Sequence, residues 1–435
     1  MVEGNLEQLN KFTDSLLVLY DARGWYHAMV ELTTDLLKIL SVTPSTPERA
    51  RQQVILQTSL ARALLATKGY TKEVERAYAQ ALELCSSAGE IPQLFPVLRG
   101  LVSYYLLIAE NEKGLQIGNR ILELAERLDD DDMRGEAHLV LGENLVDFDL
   151  HAGLDHIEKA LAIFESQRQP ARRLRVGSNP HVVALTVSAL FLWILGHPDR
   201  ARERLGRAIG LAQKLGHPFS RCYALFHQCF LNLWLENYSA VQSGARTLMD
   251  VAAEYGFQIW DAVAACLCGA AMVADGAIDD GLALLEPGMK AYRGLKTPPV
   301  FWTLLLNVQA SAFSKASRPG DGLPLLDEAI RIGSTNANNP FGSELLGLKG
   351  ELLLALDPNN AAQAESLFQL AVNIAQQFQA PMLELRAAFK LARLWQSQGK
   401  KAQAHAVLHG AYAKFTEGFS TNDLMQAQAL LRELM

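Results

Sequence analysis

Residues 195–219, LGHPDRARERLGRAIGLAQKLGHPF, hold the tripeptide Gly-His-Pro twice, at 196–198 and 216–218. Between the two copies, Ala201, Leu205 and Ala208 fall at four- and three-residue spacing, the mark of a helix with one buried face. Glycine just past a helix end suits the left-handed turn there, and proline at a first helical position gives up an N–H that has no helical partner anyway. Each Gly-His-Pro therefore reads as a corner between helices. A helix of about sixteen residues would hold the two histidines roughly 24 Å apart, too far to share a metal ion.

The same arrangement recurs along the chain. A first helix carries a small residue midway; after a polar turn, a second helix carries a small residue, a large apolar one four later and a small or apolar one three beyond. Ala189 followed by Ala201, Leu205 and Ala208 is one instance; Ala392 followed by Ala404, Leu408 and Ala411 is another. Gly350 with Ala364, Phe368 and Ala371 is a third, with Asn359-Asn360 added in the turn. The last mark of each unit falls at Leu36, Ala81, Ile121, Ala160, Ala208, Leu248, Gly288, Ala329, Ala371 and Ala411. Seven of the nine intervals lie between 39 and 42 residues. Small residues at a fixed interval let helix pairs nest closely, and a period of this size means a stacked array. The two long intervals contain SVTPSTPERA, 41–50, and FESQRQPARRLRVGSNPHVV, 164–183. The expected organisation is N-terminal repeats over 1–164, an Arg/Pro-rich connector over 165–180, and C-terminal repeats over 181–435. A capping helix over 420–435 would start on a Ser420/Asp423 capping box.

Composition narrows the function. Forty basic against 47 acidic residues leave a net charge of −7, which argues against nucleic acid as a direct partner. The most apolar run, VVALTVSALFLWIL at 182–195, has fourteen residues; a membrane span needs about twenty. With no secretory signal at the N-terminus, a cytoplasmic chain is expected. The five cysteines lack metal-finger spacing and read as small core residues.

Small-residue marks on paired helices resemble tetratricopeptide repeats. Sharper likenesses lie in ATKGYTKEVERAY (66–78), LGHPF (215–219), LKGELLLAL (348–356), LELRAAFKLARLWQSQGKKAQAHAVL (383–408) and FTEGFSTNDLMQAQALLREL (415–434). Together they resemble the C-terminal repeat region of bacterial signalling ATPases of the AAA or STAND type. In that family the ATPase follows a class III nucleotide cyclase domain or a winged-helix DNA-binding domain. The resemblance covers nearly the whole chain, departing from the family at the acidic run 129–132 and at Asn179-Pro180. It implies an all-α tetratricopeptide-like solenoid, a right-handed superhelix of about ten helix pairs, serving as a sensory arm. The alternative is a free-standing scaffold bridging two protein partners.

No catalytic chemistry is legible. The phosphate-cradling Gly-x4-Gly-Lys-Ser/Thr loop of an ATPase is absent, and Gly399-Lys400-Lys401 lacks both its first glycine and its hydroxyl. The run Asp129–Asp132 suits helix capping better than cation binding, and His151 and His156, five apart, do not share a helix face. No metal or cofactor is expected. First helices of such pairs line the concave wall, which places Thr186, Trp193, Phe226, Phe230, Trp234, Asn307, Lys315 and Arg393 as groove candidates for a protein, a peptide or a small effector. Arg168, Arg172, Arg173 and Arg175 are the candidates for holding an anion or acidic segment.

Overall fold

The computed structural model describes residues 2–42, 46–69, 71–88, 94–108, 110–166, 178–295, 299–334 and 339–435. Among them the chain forms twenty-one α-helices, one 3-10 turn at Pro358–Asn360 and no strand. Ten pairs follow one another. They are α1 (Val2–Arg23) with α2 (Tyr26–Ser41), α3 (Pro47–Lys68) with α4 (Lys72–Ala88), α5 (Leu94–Leu107) with α6 (Asn111–Leu128), α7 (Asp131–Asn144) with α8 (Leu150–Ser166), and α9 (Pro180–Ile194) with α10 (Pro198–Leu215). The second five are α11 (Pro218–Trp234) with α12 (Tyr238–Tyr255), α13 (Gln258–Ala274) with α14 (Ile278–Gly294), α15 (Pro299–Lys315) with α16 (Pro319–Ser334), α17 (Gly342–Leu356) with α18 (Ala361–Gln377), and α19 (Pro381–Ser397) with α20 (Lys401–Tyr412). A single helix, α21 (Asn422–Leu434), closes the array.

The corners form as the local chemistry requires. Gly196 and Gly216 have φ of +86° and +62°, and Pro198 and Pro218 are the first residues of α10 and α11. The acidic run divides its work between two helix ends: Asp129, at φ +48°, ends α6, and the Asp130 carboxylate caps α7 by accepting from the N–H of Met133 at 3.0 Å. In the longer turn before α18, Asp357 Oδ1 accepts from Asn359 N–H at 2.9 Å, and the amide of Asn360 donates to the carbonyl of Leu353.

Nine of the ten periodic marks are buried, and Leu36 is half-buried. Every first helix from α3 onward packs on the first helix of the next pair, through α19 on α21. The odd-numbered helices thus make one continuous inner wall, with the even-numbered ones outside. At the connector, α8 packs on α9, and Arg204 of α10 pairs with Glu158 of α8 at 3.0 Å. Residues 167–177, most of the connector and all four of its anion-binding candidates, Arg168, Arg172, Arg173 and Arg175, lie outside the described residues.

The coil is tight. Helix α3 touches α13, α5 touches α15, and α9 touches α19. Each thus meets the helix ten places on, so one superhelical turn takes five pairs and the second turn stacks on the first. The corners make this contact. Tyr26 packs on Phe219 and Phe257 with ring centroids 6.0 and 5.9 Å away, and its hydroxyl lies 3.3 Å from His217 Nε2. That hydroxyl donates to Asp21 at 2.9 Å and accepts from Arg62 at 3.2 Å. Further along, Glu417 Oε1 accepts from the N–H groups of Asp199 and Arg200 at 3.0 and 3.1 Å, and Gly418 N–H donates to Asp199 at 2.9 Å. The start of α10 is therefore capped by a side chain from the last loop of the chain.

The expected Ser420/Asp423 capping box is absent. Thr421 is the N-cap of α21 and makes no capping hydrogen bond from its side chain. Asp423 is instead taken by Arg386, which donates to its two carboxylate oxygens from Nε at 2.7 Å and from a terminal nitrogen at 3.1 Å. A bidentate charged pair is stronger than a neutral cap.

Close packing also fixes a pH dependence. His227 on α11 is buried (6% exposed), and its Nδ1–H donates to the carbonyl of Tyr223 at 2.8 Å. Burial depresses its pKa to about 4, against a smaller upward effect of that hydrogen bond. The unfolded chain then binds more protons than the folded one below the ordinary histidine range, so stability falls as pH drops from about 6.5 toward 4, by about 3 kcal/mol in full. Chemical denaturation of His227→Phe at pH 7.5 and pH 5 should show an acid-side loss about 2 kcal/mol smaller than in the parent; equal losses would refute the assignment.

Candidate functional site

The inner wall of the last repeats leaves a channel. One cavity of about 410 Å³ is lined from α11 by Phe230 and Trp234, from α15 by Asn307, Ser311 and Lys315, from α17 by Glu344 and Glu351, from α19 by Arg386 and Lys390, and from α21 by Asp423 and Gln426. A second cavity, of about 570 Å³, shares Glu351, Phe389, Lys390 and Gln426 with the first and continues to Arg393 and Gln398. Both volumes fall in the usual range for ligand pockets. The two are one passage, crossed at the junction by the ion pair of Lys390 with Glu351.

Five of the eight groove candidates line this passage: Phe230, Trp234, Asn307, Lys315 and Arg393. The other three, Thr186, Trp193 and Phe226, are closed over. Thr186 is satisfied inside its own helix, donating to the carbonyls of Val182 and Val183. Phe226 is enclosed by Phe230, Trp260 and Phe301. Trp193 stacks on Trp234 with centroids 4.3 Å apart, and the guanidinium of Arg386 covers it at 4.7 Å. Phe226 is thus covered by its neighbours on α11, α13 and α15, whereas for Thr186 and Trp193 the physical reason is the five-pair turn. An open groove exposes its whole inner wall, but here α9 is met by α19 of the next turn, so its inner face becomes core.

Arg386 organises the site, and single-residue inspection of the sequence misses it. Besides Asp423 it donates to Glu344 at 3.4 Å and to the carbonyl of Trp234 at 2.5 Å. Burial alone would lower its pKa, but Asp423 and Glu344 outweigh that and hold it above the ordinary arginine value. One side chain thus ties α9 and α11 to α17, α19 and α21. A signal for it does exist: Arg386, Lys390 and Arg393 are spaced by four and three residues within one helix, a cationic stripe along one face.

The passage also presents groups free for a ligand. The buried Oδ1 of Asn307 has no hydrogen-bond partner among the described residues. Among the described residues no three His, Cys, Asp or Glu side chains converge as metal ligands, and all five cysteines are buried as free thiols. No helix among them is long and apolar enough to cross a membrane.

A Rap protein solved in complex with competence and sporulation factor matches with a TM-score of 0.55 at 15% identity, over 89% of this chain and 99% of its own. The fold is tetratricopeptide-like. Aspartyl phosphate phosphatase F from Bacillus subtilis aligns at a TM-score of 0.45 and 10% identity, over 86% of this chain and 95% of its own. A signal transduction ATPase with numerous domains and a tetratricopeptide repeat sensor, from Pyrococcus horikoshii, aligns at 0.44 and 14% identity, over 88% of this chain but 54% of its own. No protein-family model matches the chain, and neither does any curated protein.

Proposed function

We propose that the chain is a non-catalytic interaction module that takes an extended peptide segment, free or part of a partner protein, along the passage from Trp234 to Arg393. The observation that carries this is the continuity of two cavities lined by an aromatic floor, by polar groups such as Asn307 and by charged side chains from four helices, α15, α17, α19 and α21. Grooves with these components recognise peptides by burying apolar anchors and pairing the backbone and charges around them. The Rap protein among its structural neighbours was solved in complex with competence and sporulation factor, which supports the reading.

Arg386 supplies a mechanism for response. It lines the passage and also holds two superhelical turns together, so an occupant that changes its bonding changes how those turns pack. The occupant acts as an effector to the extent that it binds one packing better than the other. The sequence resemblance supports attachment to a signalling ATPase with a cyclase or winged-helix output.

Peptide display against the full chain tests the reading. Selected peptides should bind the Asn307→Ala/Lys315→Ala double variant at least about tenfold more weakly, the loss expected for removing anchoring polar contacts. The unfolding midpoint should stay unchanged, since Lys315 is exposed and Asn307 Oδ1 is unbonded. Undiminished binding would place the site elsewhere.

A further inference from the structure

Resting on that passage as the binding site, we infer that its occupant is a peptide segment of mixed charge. A basic side chain is held in the half beside Trp234 and an acidic one in the half beside Arg393, with an apolar stretch between them. The junction of the two halves is neutral, because Lys390 and Glu351, which line both cavities, are paired with each other. Among the described residues, the Trp234 side of that junction has three carboxylates, Glu236, Glu344 and Asp423, against two cations, Arg386 and Lys315. On the other side Arg393 alone supplies charge. The halves therefore carry opposite surpluses, negative in the first and positive in the second.

The negative surplus is concentrated. The single guanidinium of Arg386 is bonded to both Asp423 and Glu344, and Glu236 adds a third negative charge around it. Glu236 is exposed and accepts from the amide of Asn422 at 2.7 Å, a neutral donor that leaves the carboxylate charge unmatched. Lys315, already counted in the balance, sits 5.4 Å from the ring centroid of Tyr238. In the same half the unbonded Oδ1 of Asn307 is an acceptor, which suits an ammonium or guanidinium donor. In the second half Arg393 is exposed and has no carboxylate partner among the described residues, and its planar fork of donors matches a carboxylate. Phe389 lines both cavities and supplies apolar floor between the charges. A segment of one sign throughout meets its own charge in one half. Since Glu236 and Arg393 are exposed, each pairing is weak alone and screened by salt, and the preference comes from satisfying both ends together.

The test uses the full chain and labelled peptides of equal length, with blocked termini and a middle of alternating leucine and serine, read by fluorescence anisotropy. One peptide carries lysines at its start and glutamates at its end, and one has that order reversed. Two more carry lysines at both ends or glutamates at both ends. The better of the mixed peptides should bind about tenfold more tightly than either single-sign peptide, and the margin should shrink as salt rises. Glu236→Gln, which keeps an acceptor for Asn422, should erase the advantage over the all-glutamate peptide and leave that over the all-lysine one. Arg393→Gln should do the reverse. Loss of fold cannot produce those opposite effects. A single-sign peptide that binds as tightly as the mixed ones, or an advantage unchanged in both glutamine variants, overturns the inference. If that single-sign peptide loses affinity on Asn307→Ala, the charge assignment fails while the passage stands. If no peptide binds, both readings fail.

Discussion

Replacing Arg386 with alanine is expected to destabilise the chain by about 3–5 kcal/mol, the range for removing one member of a buried ion pair. The side chain is 15% exposed, as are Asp423 and, within a few per cent, Glu344. Without the guanidinium, two carboxylates face each other with no counter-charge, the Trp234 carbonyl loses a donor, and Trp193 loses its cover. Lysine in its place should recover only part of the loss, because an ammonium cannot pair bidentately with Asp423 while covering an indole. The decisive comparison is Arg386→Met with Asp423→Asn and Glu344→Gln. Neutralising all three partners should restore much of the stability that Arg386→Ala removes, since the cost lies mainly in stranded charge. Denaturant unfolding measures it; a loss below about 1 kcal/mol for Arg386→Ala would mean the pair is solvated as a surface bridge is.

The second large effect concerns the closest helix pair. A Cβ on Gly269 would sit 2.5 Å from the carbonyl oxygen of Gly281 and 2.7 Å from the nitrogen of Leu285. A Cβ on Gly281 would sit 2.7 Å from the Gly269 oxygen. Both obstacles are backbone and cannot rotate away, so α13 and α14 must separate to admit even alanine. Gly269→Ala should cost about 3 kcal/mol, overpacking outweighing the roughly 1 kcal/mol that alanine gains over glycine in a helix. Gly210→Ala in α10 is the opposite case. Nothing lies within 4 Å of its Cβ, so the helix preference acts alone and stability should rise by up to about 1 kcal/mol. Effects of the same sign at both positions would refute the nesting argument.

This pair of glycines shows what was legible in the sequence. The interval between small residues, the Gly-His-Pro corners and the capping aspartates are local consequences of a helix pair needing a close neighbour and a sharp end, so the letters alone place them. The number of pairs and the closing helix follow from counting. The five-pair turn does not, because pitch depends on how far each inner helix rotates against the next, a sum of side-chain sizes with no local signature. That is why Trp193 and Thr186, correctly placed on the inner wall, prove to be core rather than groove. Lys315, Arg393 and Asn307 line the passage although α15 and α19 also meet the other turn, at α5 and α9. Arg386 depends on partners 37, 42 and 152 residues away, and only its stripe with Lys390 and Arg393 was visible.

This repeat coils until its second turn clasps its first, leaving the passage where the clasp ends. Spin labels at Arg200→Cys and Phe419→Cys test it most directly, since both positions are exposed and the native cysteines are buried. They flank the contact between Asp199 and Glu417, 218 residues apart in the chain. Pulsed dipolar spectroscopy should return one narrow distribution at the short end of its range. A broad distribution at long separation would describe an open superhelix whose turns never meet, and would contradict the account.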